Sequence, residues 1–174
     1  ITGGAVPDGG WLVSFNKMNR CLDLKPAKDG RGFILTCQPG LTLEELNKAL
    51  ETRNFPGSEN WPRAGLETLE KLRSSPTHFF PPDPTERSAS IGGMIACNAS
   101  GARTLRYGAT RKYIERLRVV LASGHTVDIT RGSIFAAADG AFELATPFGE
   151  IHAAKIQNHR APNVKNAAGF FMES

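Results

Sequence analysis

The sequence predicts an α+β fold with mixed and antiparallel sheets flanked by helices, and three observations support this prediction. Short apolar segments bounded by Gly, Pro and Asn recur along the 174 residues and are typical of strands. Residues 42–50 instead combine a helix-start pattern with apolar residues at helical spacing. The composition, 40% hydrophobic and 22% charged residues, is that of a globular domain.

The first elements are predicted to be strands. Residues 11–15 and 19–24 are apolar-rich and are separated by an Asn-Lys-Met step, which predicts a strand, a turn and a second strand. Residues 33–37, Phe-Ile-Leu-Thr-Cys, add another strand. The early part of the chain is therefore expected to be a small β structure.

A capped helix follows these strands. Thr42 and Glu45 form a capping box, in which each side chain accepts a hydrogen bond from the other residue's backbone N–H. Leu43, Leu46 and Leu50 recur at helical spacing, so that this face is assigned to the core.

The next segment, residues 53–76, begins with turn-forming Asn, Pro and Gly and continues with a helical period over residues 66–72. Its Trp61 is either a contact for a partner or a hydrophobic plug under a long loop. The plug is the favoured interpretation.

A proline corner opens the stretch that constrains function most, residues 79–108. Pro81, Pro82 and Pro84 fix φ and remove hydrogen-bond donors, so the chain is predicted to turn there as a rigid extended corner. The corner directs the segment that follows it.

A short helix is predicted to begin near Ile91. Ser88 and Ser90 can cap it, and the free N–H groups at such a helix start suit a phosphate or pyrophosphate. Gly92 and Gly93 lack Cβ, so that a ligand can lie directly against the backbone. This segment is therefore a candidate anion site.

The residues that follow, 96–102, are almost all small, and close approach of a ligand or of another backbone segment is expected there. Asn98 offers both donors and an acceptor, although a turn-forming Asn has the same appearance in sequence.

Residues 116–130 alternate around a Ser-Gly turn and predict a β-hairpin. Weaker alternations occupy residues 134–144 and 151–156.

Charge and hydropathy exclude two classes of function. The net charge is +4, and the arginines between residues 103 and 118 flank the small-residue run rather than interleave with aromatic residues, which disfavours a nucleic-acid partner. Arg103, Arg106 or Arg111 can instead face an anionic substrate. No apolar run approaches the roughly 20 residues of a spanning helix, so no transmembrane segment is predicted.

The cysteines and histidines predict neither a metal site nor a disulfide. Cys21, Cys37 and Cys97 are widely spaced, with no Cys-x-x-Cys pair and no His at ligand spacing. So sparse a set suits a reducing compartment, in which buried Cys acts as a small apolar residue. The expected location is the cytoplasm, with peripheral association at a membrane as a variant of it.

The proline corner, the Gly-Gly step and the small-residue run together resemble the central flavin-binding signature of the FAD-linked oxidases related to vanillyl-alcohol oxidase. The branch in question includes D-lactate dehydrogenase, the glycolate oxidase flavoprotein subunit and D-2-hydroxyglutarate dehydrogenase. Further segments carry the same resemblance: residues 2–7, 38–42, 107–111, 117–129 and 165–170, the last with Phe170 where Tyr is usual.

The resemblance implies a two-subdomain, PCMH-type FAD-binding domain with the cofactor between its subdomains. Residues 1–52 would form the first subdomain, residues 53–78 an inserted connection and residues 79–174 the second subdomain. The family's Arg-Gly-rich opening and its Gly-Ser-Glu-Gly closing segment do not occur in the sequence, so the chain is expected to be a fragment, truncated at both ends.

The resemblance also implies the chemistry. FAD would be held non-covalently, because no histidine has the sequence setting of covalent flavin attachment. A D-2-hydroxy acid of the lactate, glycolate or hydroxyglutarate type would deliver hydride to flavin N5, and an unidentified acceptor would take the electrons. No catalytic residue is nominated, because the catalytic His and any metal are expected in a separate cap domain, and the fragment alone is expected to be inactive.

The residues implied to contact the cofactor lie in the Gly-rich loop, the corner, the short helix, the small-residue run and two later elements. They are Thr2, Gly3, Gly4, Pro82, Asp83, Ser90, Ile91, Gly92, Gly93, Asn98, Ala99, Gly101, Tyr107, Gly108, Lys165 and Asn166. For Ser90 the competing role is a helix cap without a ligand, and for Tyr107 it is a core aromatic residue.

Two other functions remain open at this point. The chain could be a flavin-free subunit or interaction module of such a complex, although the intact residues 90–93 and 98–101 argue against a degenerate site. It could also be a reductase of the same flavin fold that acts on a cell-wall sugar precursor, but that group usually lacks the proline corner.

Overall fold

A computed structural model describes residues 8–155, which form a small mixed structure of helices and antiparallel strands, as predicted for an α+β fold. Within this range the strands make separate two-stranded sheets, β1 with β2, β3 with β4 and β5 with β6. None of the helices formed by residues 8–155 combines the length and the apolar character needed to cross a bilayer. In chain order the elements are β1 (Cys21–Pro26), β2 (Phe33–Cys37), α1 (Leu43–Thr52), a 3-10 turn (Ser58–Asn60), α2 (Arg63–Ser74), α3 (Ile91–Ala96), α4 (Thr104–Tyr107), a second 3-10 turn (Thr110–Tyr113), β3 (Arg116–Val120), β4 (Thr126–Thr130), β5 (Ala141–Ala145) and β6 (Ile151–Lys155).

The first hairpin differs from the predicted one at its start. The strand expected over residues 11–15 is not formed, and the second strand runs from Cys21 to Pro26 rather than over residues 19–24. Residues 11–15 are exposed, and no strand within the described range pairs with them. Their apolar residues therefore lack the hydrogen-bonded neighbour that a strand needs.

The two cysteines of this hairpin are free thiols that lie opposite each other, Cys21 on β1 and Cys37 on β2. Burial raises the pKa of Cys21 to about 12, with smaller contributions from Cys37 and Glu45. Burial also raises the pKa of Cys37 to about 11. Both thiols are therefore protonated at neutral pH, as expected for cysteines that serve as small apolar residues.

The capped helix is confirmed as predicted. The Thr42 hydroxyl accepts from the Glu45 N–H at 3.2 Å, and the Glu45 carboxylate accepts from the Thr42 N–H at 2.8 Å. Leu43 and Leu46 are buried on the inner face of α1, and Leu50 packs at the edge of the same core. The helix ends at Thr52, after which the chain turns.

Helix α2 confirms the helical period over residues 66–72, and it packs against β1. Trp61, just before this helix, is the predicted plug: it is 5% exposed, and its indole N–H donates to the Cys21 carbonyl at 2.7 Å. Its ring lies 5.7 Å from that of Phe55. The buried cluster that results consists of Cys21, Leu24, Leu41, Leu43, Leu46, Ala49, Phe55, Trp61, Leu69, Leu72, Ile91 and Met94.

The hairpin predicted over residues 116–130 is present as β3 and β4. Asp128 lies opposite Arg118 and pairs with both Arg116, at 2.8 Å, and Arg118, at 3.0 Å. The weaker alternations further on form β5 and β6, which pair from Ala141 opposite Lys155 to Ala145 opposite Ile151. Residues 134–140 lie outside these strands.

Candidate functional site

The proline corner packs directly on the small-residue run. A Cβ added to Gly101 would lie 1.7 Å from the Asp83 carbonyl oxygen, so only glycine permits this approach. The Arg103 guanidinium also lies 3.2 Å from the Asp83 carboxylate. The close approach that was predicted for this run is therefore, at Gly101, an approach of one backbone segment to another.

The start of α3 is bonded to the turn that precedes α1. The Ile91 N–H donates to the Leu41 carbonyl at 2.7 Å, and the Gly92 N–H donates to the Pro39 carbonyl at 2.8 Å. The expectation that this helix start offers free N–H groups to a phosphate is therefore wrong for both donors. These bonds instead fix α3 against the preceding turn.

Of the two serines predicted as possible caps of α3, Ser90 is the one that caps it. Its hydroxyl accepts from the Gly93 N–H at 3.2 Å, so this third donor also has a partner. The second candidate, Ser88, does not cap the helix, because its hydroxyl donates to the Glu86 carboxylate at 2.6 Å. The hydrogen bonds from Ser88 lower the pKa of Glu86.

The two glycines of α3 face different surroundings. A Cβ on Gly92 would lie 2.7 Å from Pro39 Cβ, so Gly92 serves packing. Gly93 is exposed, and among residues 8–155 the contact that an added Cβ would make is with the Ser90 hydroxyl, at 3.0 Å. Of the two residues, Gly93 is the one that offers open backbone surface to a ligand.

Asn98 closes α3. It has a φ of 44°, in the left-handed region that Asn tolerates, and its N–H donates to the Ile95 carbonyl at 3.0 Å. Its side-chain oxygen accepts from the Arg111 N–H at 3.1 Å. Asn98 therefore has the turn-forming role that the sequence alone could not distinguish from ligand binding. The oxygen of its side-chain amide is used in that role. The neighbouring Ala99 carbonyl accepts from the fully buried Thr110 hydroxyl at 2.8 Å.

Tyr107 lies in a small aromatic group beside the corner. Its ring meets Phe79 edge-on at 5.6 Å, and the Arg106 guanidinium lies 5.3 Å from its centroid. Its carbonyl accepts from the Tyr113 hydroxyl at 2.6 Å. Burial raises the pKa of Tyr113, and Tyr107 adds to that shift. Gly108 follows with a φ of +86°, which favours glycine.

The structure thus links several of the predicted residues that it describes. The corner contacts the turn after α3 through Asp83 and Gly101, and Asn98 joins that turn to the second 3-10 turn at Arg111. Residues predicted for the site but lying outside the described range are Thr2, Gly3, Gly4, Lys165 and Asn166.

A second cluster of polar side chains lies between the turns of the two later hairpins. His125 Nδ1 is 2.5 Å from Glu150 Oε2, and His152 Nε2 is 3.6 Å from the same oxygen. This cluster is not apparent from the sequence, because His125 lies 25 residues or more along the chain from its two partners. The available signal was the Glu-x-His pair, whose members share one face of an extended chain.

A family model of known proteins matches the part of the chain that contains the proline corner and α3. Residues 64–130 match a family model described as FAD binding domain, so the matched range includes α2, the corner, α3 and the hairpin of β3 and β4. No significant match to a solved structure was found.

Curated relatives match over most of the chain. It is 35% identical over 130 residues, 74% of the chain, to a D-lactate dehydrogenase of Archaeoglobus fulgidus, of which it covers 23%. It is 32% identical over 129 residues, 73% of the chain, to the glycolate oxidase subunit GlcD of Bacillus subtilis, of which it covers 22%. It is 31% identical over 136 residues, 77% of the chain, to a D-2-hydroxyglutarate dehydrogenase of Xanthomonas citri, of which it covers 23%. The chain thus spans less than a quarter of the length of each of these relatives.

Proposed function

The chain belongs to the FAD-linked oxidase family, and on that premise we propose that it forms part of the FAD-binding domain of an oxidoreductase that oxidises a 2-hydroxy acid. The observation that carries this proposal is the family match over residues 64–130, the range in which the proline corner packs on the small-residue run. The relatives named above share one substrate class, a small acid with a hydroxyl next to its carboxylate.

The proposed architecture is the two-subdomain, PCMH-type arrangement with FAD between the subdomains. Residues 1–52 are assigned to the first subdomain, residues 53–78 to a connection and residues 79–174 to the second. The packing of α2 against β1 supports a connection that adheres to the first subdomain. The bonds from α3 to the turn before α1 support a direct joint between the two subdomains.

The described residues fit a flavin at one face. Gly93 presents open backbone. The side-chain oxygen of Asn98 already accepts from the Arg111 N–H, so the NH2 group of the same amide is the part that can donate to a ligand. Pro82 and Asp83 hold the shape of the adjoining corner. Bound non-covalently, FAD would supply the hydride acceptor, while these groups orient the ring system and keep water from it.

The phosphates of the cofactor are proposed to lie elsewhere than on the amides of Ile91 and Gly92. Those two amides act indirectly, by fixing α3 in place. The remaining candidates for the pyrophosphate are the Ser90 hydroxyl and the Gly-rich loop at residues 2–4. Ala99, Gly101, Tyr107 and Gly108 are proposed to shape the pocket around the flavin and its ribityl chain, and Lys165 with Asn166 to approach the flavin or the substrate carboxylate.

The proposed enzyme uses a 2-hydroxy acid and an electron acceptor, and no residue of this chain is nominated as the catalytic base. The proposed compartment is a reducing one such as the cytoplasm, because the cysteines are few and widely spaced in the sequence.

The direct test is an absorbance scan of the purified full-length protein to which this chain belongs, before and after addition of FAD and desalting. Bands retained near ~370 and ~450 nm are expected and would establish non-covalent flavin binding. A folded protein without these bands would contradict the proposal and favour the flavin-free subunit. A protein that shows the bands is then reduced anaerobically with D-lactate, glycolate and D-2-hydroxyglutarate, and bleaching of the ~450 nm band identifies the substrate.

Placement of the flavin against α3 is tested by Gly93→Val. We expect FAD to bind about tenfold more weakly or worse, because the branched side chain occupies the open backbone surface. Ala96→Val is the matched control, since it places the same side chain on another exposed position of the same short helix. Equal FAD affinity in the two variants, measured by fluorescence titration, would show that the cofactor does not lie against Gly93.

A further inference from the structure

We propose that His125, Glu150 and His152 form a binding site for a divalent transition-metal ion of the zinc class. One donor atom from each residue lies within 4.8 Å of the other two. The cluster is separate from the surface proposed for FAD, because it lies between the turn that joins β3 to β4 and the turn that joins β5 to β6.

The backbone holds each donor in place. The His125 carbonyl accepts from the Leu121 N–H at 2.8 Å across its turn. Glu150 is bonded twice to Thr146, a buried residue: its carbonyl accepts from the Thr146 N–H at 2.8 Å, and its N–H donates to the Thr146 hydroxyl at 3.2 Å. His152 lies two residues on, along the extended chain, so its side chain projects on the same face as that of Glu150.

A metal ion would give one nitrogen of the cluster, Nε2 of His152, the partner that it lacks among the described residues. His152 Nε2 is buried and has no hydrogen-bond partner within the described residues, although its side chain as a whole is 40% exposed. Glu150 Oε2 lies 3.6 Å from this nitrogen and is already engaged by His125 Nδ1 at 2.5 Å. An unpaired buried polar atom is unfavourable, and a cation seated among the three donors satisfies it.

The spacing of the donors fits a four-coordinate ion. Zinc bonds of about 2.0 to 2.1 Å to nitrogen and oxygen place neighbouring donors roughly 3.3 Å apart. The separations of 2.5 Å and 3.6 Å from Glu150 Oε2 lie on either side of that value, and all three donor atoms lie within 4.8 Å of one another, so a bound ion would bring them to it by side-chain rotation. His125 also has the Ser123 hydroxyl 3.3 Å from Nδ1, which this movement would release.

The chemistry of the donors selects the class of ion. Two imidazole nitrogens and one carboxylate suit zinc and its neighbours in the first transition row, whereas magnesium and calcium prefer oxygen donors throughout. With three protein ligands, the fourth position would hold water. Glu150 and both histidines are partly exposed, which gives the ion a route in from solvent.

Binding would join the two hairpins. Besides the ion pairs of the cluster, the His125 ring contacts the Phe148 ring across the two turns, with centroids 5.6 Å apart. An ion shared by both turns therefore acts as a cross-link, and its loading should raise the thermal stability of this part of the chain.

The test uses chelator-treated protein titrated with Zn²⁺ by calorimetry, and with Co²⁺ by visible absorbance, which reports a four-coordinate site directly. We expect one equivalent that Glu150→Gln, His125→Asn and His152→Asn each weaken by at least about 100-fold. Glu150→Gln nearly preserves size and hydrogen bonding, so a loss in this variant cannot be assigned to misfolding. Circular dichroism verifies the fold of each variant.

Two variants outside the cluster serve as controls. His78→Asn removes a histidine that contacts Ser75 and Phe33, and Asp139→Asn removes a carboxylate that pairs with Lys155. Both should bind Zn²⁺ as the unaltered protein does. Zinc bound elsewhere would persist in all variants, so a titration that is the same in the three cluster variants and the two controls would overturn the proposal, as would the absence of any Zn²⁺ binding.

Discussion

Two regions of this chain are stabilised in different ways. Residues 21–94 share one buried cluster, to which β1, α1, α2 and α3 all contribute. In the hairpins between residues 116 and 155, Val127 is the buried apolar residue within the described range, and charged pairs cover the exposed strand faces. The first region therefore depends on apolar burial and the second on strand pairing and side-chain electrostatics.

The regularity of strand pairing does not explain this difference in stabilisation. The hairpins β3–β4 and β5–β6 pair without a register break, whereas the hairpin β1–β2 contains an irregularity between Cys21 and Asp23. Regular pairing alone gives little stability, since an isolated two-stranded hairpin is marginal in water. The irregular hairpin is the one that has helices packed on it.

The largest effect that the comparison predicts is at Phe55, which is 1% exposed in the first region. Phe55→Ala removes a buried ring that contacts Trp61 and leaves a cavity, so the free energy of unfolding should fall by about 3 to 5 kcal/mol. Urea unfolding followed by tryptophan fluorescence measures this change.

Phe135→Ala is the matched control, because the same ring is 79% exposed there. That variant should change the free energy of unfolding by no more than about 0.5 kcal/mol. Similar losses at the two positions would mean that the hairpin region has a core comparable to the first, and the comparison would fail.

A smaller effect is expected where the proline corner meets the small-residue run, at the contact of Gly101 with Asp83. The methyl group of Gly101→Ala would collide with the Asp83 carbonyl, so overpacking should cost about 1 to 3 kcal/mol. Gly32→Ala adds the same methyl group where the described part of the chain places nothing within 4 Å, and it should be close to neutral. Equal thermal midpoints for the two variants would show that the corner is not held against the small-residue run.

Sequence patterns predicted the elements that are set by neighbouring residues. The capping box of Thr42 and Glu45 acts over three positions, and the hairpin around residues 123–124 is set by its turn and its alternation. Trp61 was interpretable as a plug because a large apolar residue in a long loop has few other places to go.

Two of the predictions that were wrong concern partners that are distant in the chain. The amides of Ile91 and Gly92 looked free because their acceptors, Leu41 and Pro39, lie about fifty residues earlier. The apolar run at residues 11–15 looked like a strand because propensity does not reveal whether a neighbour exists. Long-range hydrogen bonding, unlike capping, leaves no local pattern.

The smallest effect concerns the electrostatics of the hairpin region. Two hydrogen bonds from Arg118, at 3.1 Å and 3.0 Å, and a further contact from Arg116 hold the pKa of Asp128 below its usual value of about 3.9. Because the folded-state pKa is lowered, the stabilisation is fully present above the ordinary aspartate pKa and is lost as pH falls through the lowered value. The pair is exposed, so neutral-pH stability should barely change when it is removed.

Arg118→Gln should raise the pKa of Asp128 toward its ordinary value, because the main hydrogen-bond donor to the carboxylate is gone. Asp139 is the internal control, since the hydrogen bond that lowers its pKa comes from Lys155 in the other hairpin. NMR titration of the carboxyl carbons follows both residues in one sample. A pKa shift confined to Asp128 would show that charge pairing acts locally on the face of β3 and β4. An unchanged titration of Asp128 would mean that Arg118 does not make this contact in solution. Strand pairing would then stabilise the hairpin without the ion pair.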